Sequence, residues 1–554
     1  MAEDQPTRRA QRPGRAGRWQ TARPRLAWAA WLLVAALVLF WCYLRQSQTA
    51  PVDSDGAGTA LQGWDMLHGN LLLSGWWLAD VTFYTFEVPI DAMVEAVRGL
   101  DANVVHITAA LVYTLLVLIA ALLAKGKARG PEGIIRALLA AGILVAPAFG
   151  TSTRVLLLSP DHTGTAVPIL LTLLLVDRAG KRWWVVPATC VMLIWAQVDD
   201  PLATYAGALP VALVCLVRAC APFVRRRGPD WYLVHRRWPG WYDAGLAAAA
   251  LLSVELAHLV VKAISAAGGY AMQPLTGLTT LIPFGQWGSH INATVENTLI
   301  LFGADFFDQP SGLQTTIAFL HFIGVALALA GLLVGIWRLF SGGDRVTQML
   351  TVGIGAMLVA GTFVLKTFPI SGAHQIAVVL PFGAVLAGRT LGPWLAGRRL
   401  PRISLAPALG VALACYLAAL GYNASQPAQA AETQGLAAWL TAHHLTSGLG
   451  RYWAANSTTL ASGGQVRVIA VQGKGQVPYP WITKPAWYDP AQSYANFVVA
   501  VPGLGKSAYA FSEVLVKQAF GEPAHEYTYG PFVIMVWDKN LLLHMPAPDQ
   551  SKVR

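Results

Sequence analysis

The sequence predicts an all-α polytopic membrane protein of about 11 transmembrane helices with a small C-terminal extracytoplasmic α/β domain. Three observations support this fold class. The chain has 554 residues, 55% of them hydrophobic and 12% charged, whereas soluble proteins carry about 25% charged residues. Apolar stretches of about 20 residues, long enough to cross a bilayer, recur along most of the chain. After residue 422 these stretches stop, and short β-branched runs replace them.

The first 26 residues are predicted to form a disordered, basic tail in the cytoplasm. They contain seven arginines among Pro, Gly and Gln, a composition that cannot bury a core. An apolar run follows directly, so the arginines are better explained as an orientation signal than as a nucleic-acid site. No nucleic-acid partner is therefore expected. The run lacks a small-residue cleavage site, which predicts a retained first span.

Residues 27–422 are predicted to form the membrane domain. The expected spans are 27–44, 103–124, 134–150, 165–176, 183–198, 202–222, 243–265, 312–338, 348–366, 373–393 and 403–422. If the N-terminus lies in the cytoplasm, every loop that falls inside is rich in Arg or Lys, as the positive-inside rule requires. We therefore expect a multi-pass protein of the bacterial cell membrane with its C-terminal domain outside the cytoplasm.

Residues 423–554 are predicted to form this extracytoplasmic α/β domain. Apolar runs at 466–471, 497–501 and 532–537 are short and bounded by Gly, Pro and Asn, which is typical of buried strands. Segments 430–444 and 510–521 have the spacing of helices. The pattern predicts a small mixed sheet with helices packed on it.

The predicted first outer loop, residues 45–102, places acids among aromatic residues. Asp65 lies between Trp64 and Met66. A carboxylate held among such side chains is partly desolvated, which raises its pKa and makes it a better base. The residue types equally allow Asp65 to share a divalent metal with Asp161 and His162. The sequence alone does not decide whether Asp65 is a base or a metal ligand.

The same loop ends in an amphipathic segment. Residues 89–100, PIDAMVEAVRGL, predict a helix that lies in the membrane interface and ends at Gly99. Asp91 and Glu95 are expected on its solvated face, together with Arg98.

Further ionisable residues fall at the predicted outer ends of the spans: Arg154, Asp161, His162, Asp199, Asp200, Lys366 and His374. Each has a simpler explanation. Asp161 and the pair Asp199 and Asp200 also fit helix caps, and His374 fits an interfacial histidine without a task. Because all of them lie on one predicted side, the sequence nevertheless predicts a site at that side of the membrane.

This layout resembles the GT-C class of integral-membrane glycosyltransferases. The class combines an acid shortly after the first span with an interfacial helix, many spans and a terminal domain. The run Asp65–Leu78, DMLHGNLLLSGWWL, is similar to the class's acid followed by a small helix and Gly-Trp-Leu. The chain also resembles uncharacterised actinobacterial membrane proteins in WDMLHGN, SPDHTGTAVP and Tyr452-Trp453. The resemblance implies transfer of a hexosyl or pentosyl group from a polyprenyl-phosphate donor to an envelope glycan, lipid or protein at the outer face.

The resemblance also implies roles for the candidate residues. Asp65 would be the catalytic base, and Glu87 would orient it or bind a sugar hydroxyl. Cations would stabilise the donor phosphate, and aromatic rings would stack on sugar faces. The phosphate candidates are Arg154, Lys366 and His374, the aromatic candidates are Trp76, Trp77 and Tyr84, and the candidate ligands for Mg or Mn are Asp161 and His162.

Two other functions fit the sequence. A lipid or solute transporter, or a flippase, would carry charged residues within its spans, as Glu255, His258 and Lys262 do at helical spacing. A non-catalytic membrane protein would bind a glycan or a partner through its outer domain, where the candidate residues are His443, His444, Tyr452 and Trp453.

Overall fold

The membrane domain is built from apolar helices. The computed structural model describes residues 15–158, 162–220, 224–227, 230–233, 240–274, 280–307, 311–365, 372–397, 405–473, 477–501 and 512–548. Within that part, six helices are long and apolar enough to cross a membrane, namely Ala30–Ser47, Asn103–Lys125, Trp241–Ala266, Leu313–Ser341, Arg345–Phe363 and His374–Gly397. The chain is therefore a multi-pass membrane protein, as the sequence predicted.

Shorter helices account for the other predicted spans. In chain order the helices of this part are α1 (Arg15–Ser47), α2 (Ser54–Leu67), α3 (Glu87–Arg98), α4 (Asn103–Lys125), α5 (Gly130–Leu144), α6 (Thr151–Leu157), α7 (Ala166–Ala179), α8 (Val185–Asp199), α9 (Leu209–Cys220), α10 (Trp241–Ala266), α11 (Trp287–Phe302), α12 (Leu313–Ser341), α13 (Arg345–Phe363), α14 (Val379–Gly397) and α15 (Leu405–Ala424). A π-helical turn, Thr204–Ala208, leads into α9, and a 3₁₀ turn, His374–Ile376, precedes α14. Helix α1 begins at Arg15, inside the segment predicted to be disordered.

The core of the membrane domain surrounds α4, which contacts α1, α5, α7 and α14. Tyr43 of α1 meets Tyr113 of α4 edge-on, with ring centres 4.9 Å apart. Their hydroxyls donate to the carbonyl oxygens of Val145 at 2.9 Å and Leu144 at 2.8 Å. A buried hydroxyl without a partner is costly, so these two bonds fix α1 and α4 against the end of α5.

Helices α2 and α3 form the segment between α1 and α4. They lie in close contact because Gly63 of α2 has no side chain, and a Cβ there would fall 2.9 Å from Ala92 N. Helix α3 is the predicted amphipathic helix. It ends before Gly99, whose φ of +81° lies in the region that favours glycine.

The acids of α3 are not on a solvated face, and that prediction was wrong. Asp91 and Glu95 are each 2% exposed, whereas Met93 and Val97 are 70% and 91% exposed. Asp91 Oδ1 accepts a 2.6 Å hydrogen bond from Thr108 on α4. Burial raises the pKa of Asp91 to about 7 and that of Glu95 to about 9. The residues that α3 exposes are apolar, which is the arrangement expected of a helix whose apolar face is turned toward lipid.

The C-terminal domain contains helices α16 (Glu432–Ala442), α17 (Tyr452–Ala461) and α18 (Glu513–Phe520) around a six-stranded sheet. The strands of the described chain are β1 (Trp77–Leu78), β2 (Val224–Arg227), β3 (Asp230–Leu233), β4 (Ala271–Met272), β5 (Ser447–Arg451), β6 (Arg467–Gln472), β7 (Val477–Pro478), β8 (Phe497–Ala500), β9 (His525–Tyr529) and β10 (Phe532–Val536). The sheet order is β7-β6-β5-β8-β10-β9, with β5 parallel to β6 and β8 and the other pairs antiparallel. Strands β1 and β4 pair in parallel, and β2 and β3 form an antiparallel ribbon.

Both faces of this sheet are buried. Phe497 and Val499 point toward α16 and α17, and Val498 and Ala500 point toward α18. Coverage of both faces explains the continuous apolar runs of the predicted strands. Strand β5, in the middle of the sheet, was not predicted, because its sequence, SGLGR, is not an apolar run. A Cβ at Gly448 would lie 2.3 Å from the Phe497 ring, so packing requires glycine there.

Candidate active site

Two carboxylates lie at the start of α2. Asp53 is the N-cap, and its Oδ1 accepts a hydrogen bond from Gly56 N at 2.9 Å. An acid in this position satisfies a free N–H group and favours the helix dipole. Asp55, in the first turn, accepts a hydrogen bond from the Tyr452 hydroxyl. Tyr452 belongs to α17, so the C-terminal domain reaches this end of α2.

Burial raises the pKa of both acids. For Asp55 burial is the larger cause, the charge of Asp53 adds to it, and the pKa is about 7. Burial also raises the pKa of Asp53, against the opposing effects of the Gly56 N–H and the charge of Arg154. Both side chains nevertheless remain partly exposed. A partly accessible carboxylate with a pKa near neutrality is suited to accept a proton.

A histidine pair lies in the same region. His162 Nδ1 is 2.7 Å from Asp200 Oδ2, which also accepts a hydrogen bond from Thr165. The His162 and His374 rings stack with centres 5.5 Å apart and planes 5° apart. Asp200 Oδ1 accepts a bond from Leu202 N at 2.8 Å, which is the capping role that the sequence allowed. The carboxylate thus fixes the orientation of the imidazole.

The partners of Asp200 also set its pKa. Burial alone would raise the pKa of Asp200, but the charge and hydrogen bond of His162 and the bond from Thr165 bring it below its ordinary value. Asp200 is therefore a permanent negative charge beside His162, whereas Asp55 can exchange a proton near neutral pH.

The backbone around the histidine pair is strained. His162 has φ +58° and Phe83 has φ +50°, values that residues other than glycine rarely adopt. Their rings lie 6.1 Å apart, and Phe83 N donates to the carbonyl oxygen of Asp199 at 3.0 Å. Such conformations persist only where the surrounding structure imposes them, and they concentrate at functional sites.

Asp80 connects the two groups. Burial raises the pKa of Asp80, the charge of His162 lowers it and that of Asp200 raises it. Asp80 in turn raises the pKa of Asp55. Charges influence one another in this way only at short range. We refer to these residues as the acid–histidine cluster: Asp53, Asp55, Asp80, His162, Asp200 and His374.

Glu87 lies on the buried side of this cluster. It is 2% exposed, and burial, with the charge of the neighbouring Asp199, raises its pKa well above the ordinary value. Its carboxyl group fills the space over Gly164, where a Cβ would fall 1.7 Å from Glu87 Oε1. Glu87 and Asp91 also line a small cavity of about 20 Å³, enough for a single water molecule. Glu87 therefore faces Asp199, and the structure records no contact between it and Asp65.

Acids at the opposite ends of the membrane helices are neutralised instead. Arg389 forms ion pairs with Asp177 at 2.9 Å and Asp344 at 2.7 Å, and Arg345 pairs with Asp243 at 2.6 Å. In the described part of the chain, the carboxylates of the acid–histidine cluster have no ion pair with Lys or Arg. The cluster is therefore an acidic site whose carboxylates are not paired with Lys or Arg. It lies at the end of the membrane helices that faces the C-terminal domain.

Asp65 occupies a different environment at the other end of α2. Its Oδ2 accepts hydrogen bonds from Asn70 Nδ2 at 2.6 Å, Trp76 Nε1 at 2.9 Å and Lys484 Nζ at 2.8 Å. Burial alone would raise its pKa, but the bonds from Lys484, Trp76 and Asn70 lower it below the ordinary value. The ion pair fastens the loop to the C-terminal domain, and a carboxylate stabilised in this way is a weaker base.

The predicted aromatic residues are largely covered. Trp76 and Trp77 are 2% and 5% exposed, so neither indole face is free for a sugar. Trp77 exchanges backbone hydrogen bonds of 2.7 and 3.0 Å with Thr483. Tyr84 is partly exposed and donates to the carbonyl oxygen of Leu71 at 2.9 Å.

The structure describes two of the three predicted phosphate-binding residues. Arg154, on α6, is exposed and close enough to Asp53 to lower its pKa. His374 belongs to the acid–histidine cluster. Lys366 lies outside the described residues.

The predicted metal site finds little support in the geometry. Among the residues that the structure describes, no group of three or more His, Cys, Asp or Glu side chains could hold a metal ion. His162 directs Nδ1 toward Asp200, and Asp161 lies outside the described residues. Mg²⁺ and Mn²⁺ prefer several oxygen ligands, which this part of the chain does not assemble.

Sequence reasoning missed Asp53 and Asp55. The available signal was Asp-Ser-Asp shortly after the first span, at a helix start in front of Gly56. The pattern resembles a simple helix cap, and Asp65, with its aromatic neighbours, drew the assignment instead. Only the contact with Tyr452, remote in sequence, distinguishes Asp55 from a capping residue.

Comparison with known proteins identifies the fold of this chain. No known protein-family profile matches the sequence, and no curated protein matches it. The structure is similar to ArnT from Cupriavidus metallidurans in the apo state, with a TM-score of 0.53 and 14% identity over 94% of this chain and 99% of that chain. It is also similar to ArnT bound to undecaprenyl phosphate, with a TM-score of 0.50 and 14% identity over 92% and 98% of the two chains.

A third similar structure is the apo oligosaccharyltransferase of Archaeoglobus fulgidus, with 14% identity over 92% of this chain and 75% of that chain; its TM-score of 0.49 is too low to support a conclusion. The likeness to ArnT extends over nearly the whole chain and confirms the GT-C-like fold class that the sequence predicted.

Proposed function

We propose that this protein is a membrane glycosyltransferase that moves a sugar from a polyprenyl-phosphate donor to an acceptor at the extracytoplasmic face. The observation that carries the proposal is the acid–histidine cluster, in which Asp55 is partly exposed and has a pKa of about 7. The fold of ArnT, which has been crystallised with undecaprenyl phosphate, supports a lipid-linked donor. Envelope glycans, lipids and proteins are the candidate acceptors.

The residues of the cluster divide the proposed reaction among them. The acceptor hydroxyl attacks the anomeric carbon and gives its proton to the Asp55 carboxylate. The bond between the anomeric carbon and the phosphate oxygen breaks, and its electron pair leaves with polyprenyl phosphate. Arg154, whose charge acts on Asp53, would stabilise the negative charge on that phosphate. Asp200 holds His162 in place to bind a sugar hydroxyl or the phosphate.

Asp65 with Glu87 is the rival assignment of the base. Two facts favour Asp55. Asp65 is ion-paired with Lys484 and its pKa is lowered, whereas the pKa of Asp55 is raised toward the range in which a base works best. A divalent metal remains part of the proposal only if Asp161 completes a site with His162.

The function is tested with purified protein in liposomes. Polyprenyl-phosphate donors carrying labelled hexoses or pentoses are supplied with envelope extract as acceptor, and Asp55→Asn serves as the inactive control. The proposal predicts transfer of label that depends on Asp55. Accumulation of label inside the liposomes without a glycosyl product would contradict it and favour a transporter.

The structure favours neither alternative function. Glu255, His258 and Lys262, the best transporter-like group, are all exposed on α10 and not packed inside the bundle. For a non-catalytic outer domain, Trp453 is 50% exposed but Tyr452 is buried against α2. Deletion of residues 430–554 that abolished glycan binding without any enzymatic consequence would support this third function.

The orientation in the membrane is part of the same proposal. We place the N-terminus in the cytoplasm and the domain of residues 423–554 outside, because the predicted inner loops hold the basic residues. A cysteine introduced at residue 65, with the native cysteines replaced, should react in intact cells with a membrane-impermeant maleimide. Labelling only after the cells are opened would reverse the topology.

A further inference from the structure

The proposed base is held by the C-terminal domain and not by the membrane domain. Asp55 Oδ1 accepts a hydrogen bond from the Tyr452 hydroxyl, and the Trp481 side chain lies close enough to favour the charged form of Asp55. Both residues lie about 400 positions away in the chain. Asp53, two residues before Asp55, is instead bound by the backbone of its own helix.

The contact that delivers Tyr452 is specific. Helix α17 packs on α2, where Ser54 donates to the Tyr452 carbonyl oxygen. Asn456 Nδ2 donates to the carbonyl oxygen of Ile482 at 3.2 Å. On α2, Gly58 leaves room for this contact, since a Cβ there would lie 2.4 Å from Ile482 and 3.1 Å from Asn456 Nδ2. Ala, or any larger residue, at position 58 would therefore disturb this contact.

The surroundings keep Tyr452 a donor. Its side chain is 5% exposed, and its ring contacts that of Tyr479 at 5.1 Å. Burial, followed by the charge of Asp55, raises the pKa of the Tyr452 hydroxyl well above its ordinary value, so it remains protonated. The ionisable groups that act on Asp55 are Asp53 and Asp80, which disfavour its charge, and Tyr452, which favours it together with Trp481. The acids and the donors thus act in opposite directions.

We propose that Tyr452, assisted by Trp481, is a positioning residue that orients the Asp55 carboxylate and favours its ionised form, so that the C-terminal domain forms part of the active site. This inference rests on the proposed function, in which Asp55 is the base. It gives the domain a direct part in the reaction in addition to any part in binding the acceptor.

The test is the pH dependence of kcat/KM for Tyr452→Phe. Removing a donor that favours the ionised carboxylate raises the pKa of Asp55, so a smaller fraction is ionised on the acidic side of the profile. We expect activity to fall about 10-fold at pH 6 and about 2-fold or less at pH 9, because one pKa unit corresponds to a factor of 10. Trp481→Phe should shift the acid limb in the same direction.

Tyr479→Phe is the matched control. Tyr479 contacts the ring of Tyr452 and is not one of the groups named above as acting on Asp55, so its variant should keep the wild-type profile. An unchanged acid limb in both Tyr452→Phe and Trp481→Phe, or an equal loss at every pH, would overturn the inference. If Tyr452→Phe does not fold, Trp481→Phe still decides. Full activity of Asp55→Asn would instead remove the proposed base, so the two failures are distinguishable.

Discussion

The two ends of α2 hold their carboxylates in opposite ways. At the N-terminal end, Asp55 lies beside Asp53 and close to Asp80, and its pKa is raised to about 7. At the C-terminal end, Asp65 accepts bonds from Lys484, Trp76 and Asn70, and its pKa is lowered. Asp55 and Asp65 are the same type of residue and belong to the same helix. The difference shows that burial and the charges and donors around each carboxylate, and not the residue type, decide which acid can act as a base.

The largest expected effect separates the two ends by activity. Asp55→Asn should reduce glycosyl transfer by about 100-fold or more, as removal of a general base does. Asp65→Asn should reduce it by less than about 10-fold, because it only loosens the contact with Lys484. Both are measured in membranes at equal protein level. The reverse order of losses would make Asp65 the base and break the comparison.

A second prediction concerns the close contact that holds α2. Gly63→Ala would place a Cβ 2.9 Å from Ala92 N, so the two helices must separate at a cost of about 1–3 kcal/mol. Gly355→Ala is the control, because no atom lies within 4 Å of the added Cβ. The control should be neutral or stabilising by up to about 1 kcal/mol. Thermal unfolding in detergent measures both variants, and equal melting temperatures would argue against the close contact.

The third prediction is that the charges of Asp55 and Asp65, at the two ends of α2, change the stability of the protein in opposite directions as the pH rises. The folded pKa of Asp55 is raised, so stability falls as pH rises from about 4, the unfolded value, to about 7. Asp55→Asn should therefore stabilise the protein at pH 8 by about 1–3 kcal/mol and leave it unchanged below pH 4. The folded pKa of Asp65 is lowered, so its stabilisation is present above about pH 4 and is lost in more acidic solution.

Asp65→Asn should accordingly destabilise the protein at pH 8. Thermal unfolding of both variants at pH 4 and pH 8 checks the signs. A loss of stability in Asp55→Asn at pH 8 would show that the carboxylates of the cluster are not destabilised by burial.

The smallest expected effect tests the ion pair at the C-terminal end. Lys484→Asp places two acids together and should lower stability by about 1 kcal/mol. The double variant Asp65→Lys with Lys484→Asp restores opposite charges and should recover part of the stability and most of the transfer activity. If Asp65 were the base, the double variant would remain inactive although it folds.

Much of the membrane domain could be predicted from the sequence. The predicted spans 103–124, 243–265 and 312–338 match α4, α10 and α12 to within a few residues, because an apolar run of that length has one stable arrangement in lipid. Three strands and two helices of the C-terminal domain were also predicted. Strand β5 was not, since Gly448 is required by the Phe497 ring, which comes from another strand.

The candidate site could be predicted only in part. The sequence predicted the candidate acids and histidines on one side of the membrane, and the structure brings two of them, His162 and His374, together. The prediction of a solvated face failed for Asp91 and Glu95, because amphipathicity alone does not say whether lipid or protein covers the apolar face of a helix. It also favoured Asp65 over Asp55, because Lys484 and Tyr452 are remote in the chain.

The sequence by itself determined that this chain crosses a membrane many times and contains a small C-terminal α/β domain. These properties follow from the local balance of apolar and charged residues, which acts within single segments. The tertiary structure alone decided which carboxylate is paired, which is protonated and which is left free. A pKa depends on burial and on charges a few ångströms away. In this protein those charges come both from nearby residues, as Asp53 does for Asp55, and from distant ones, as Lys484 does for Asp65.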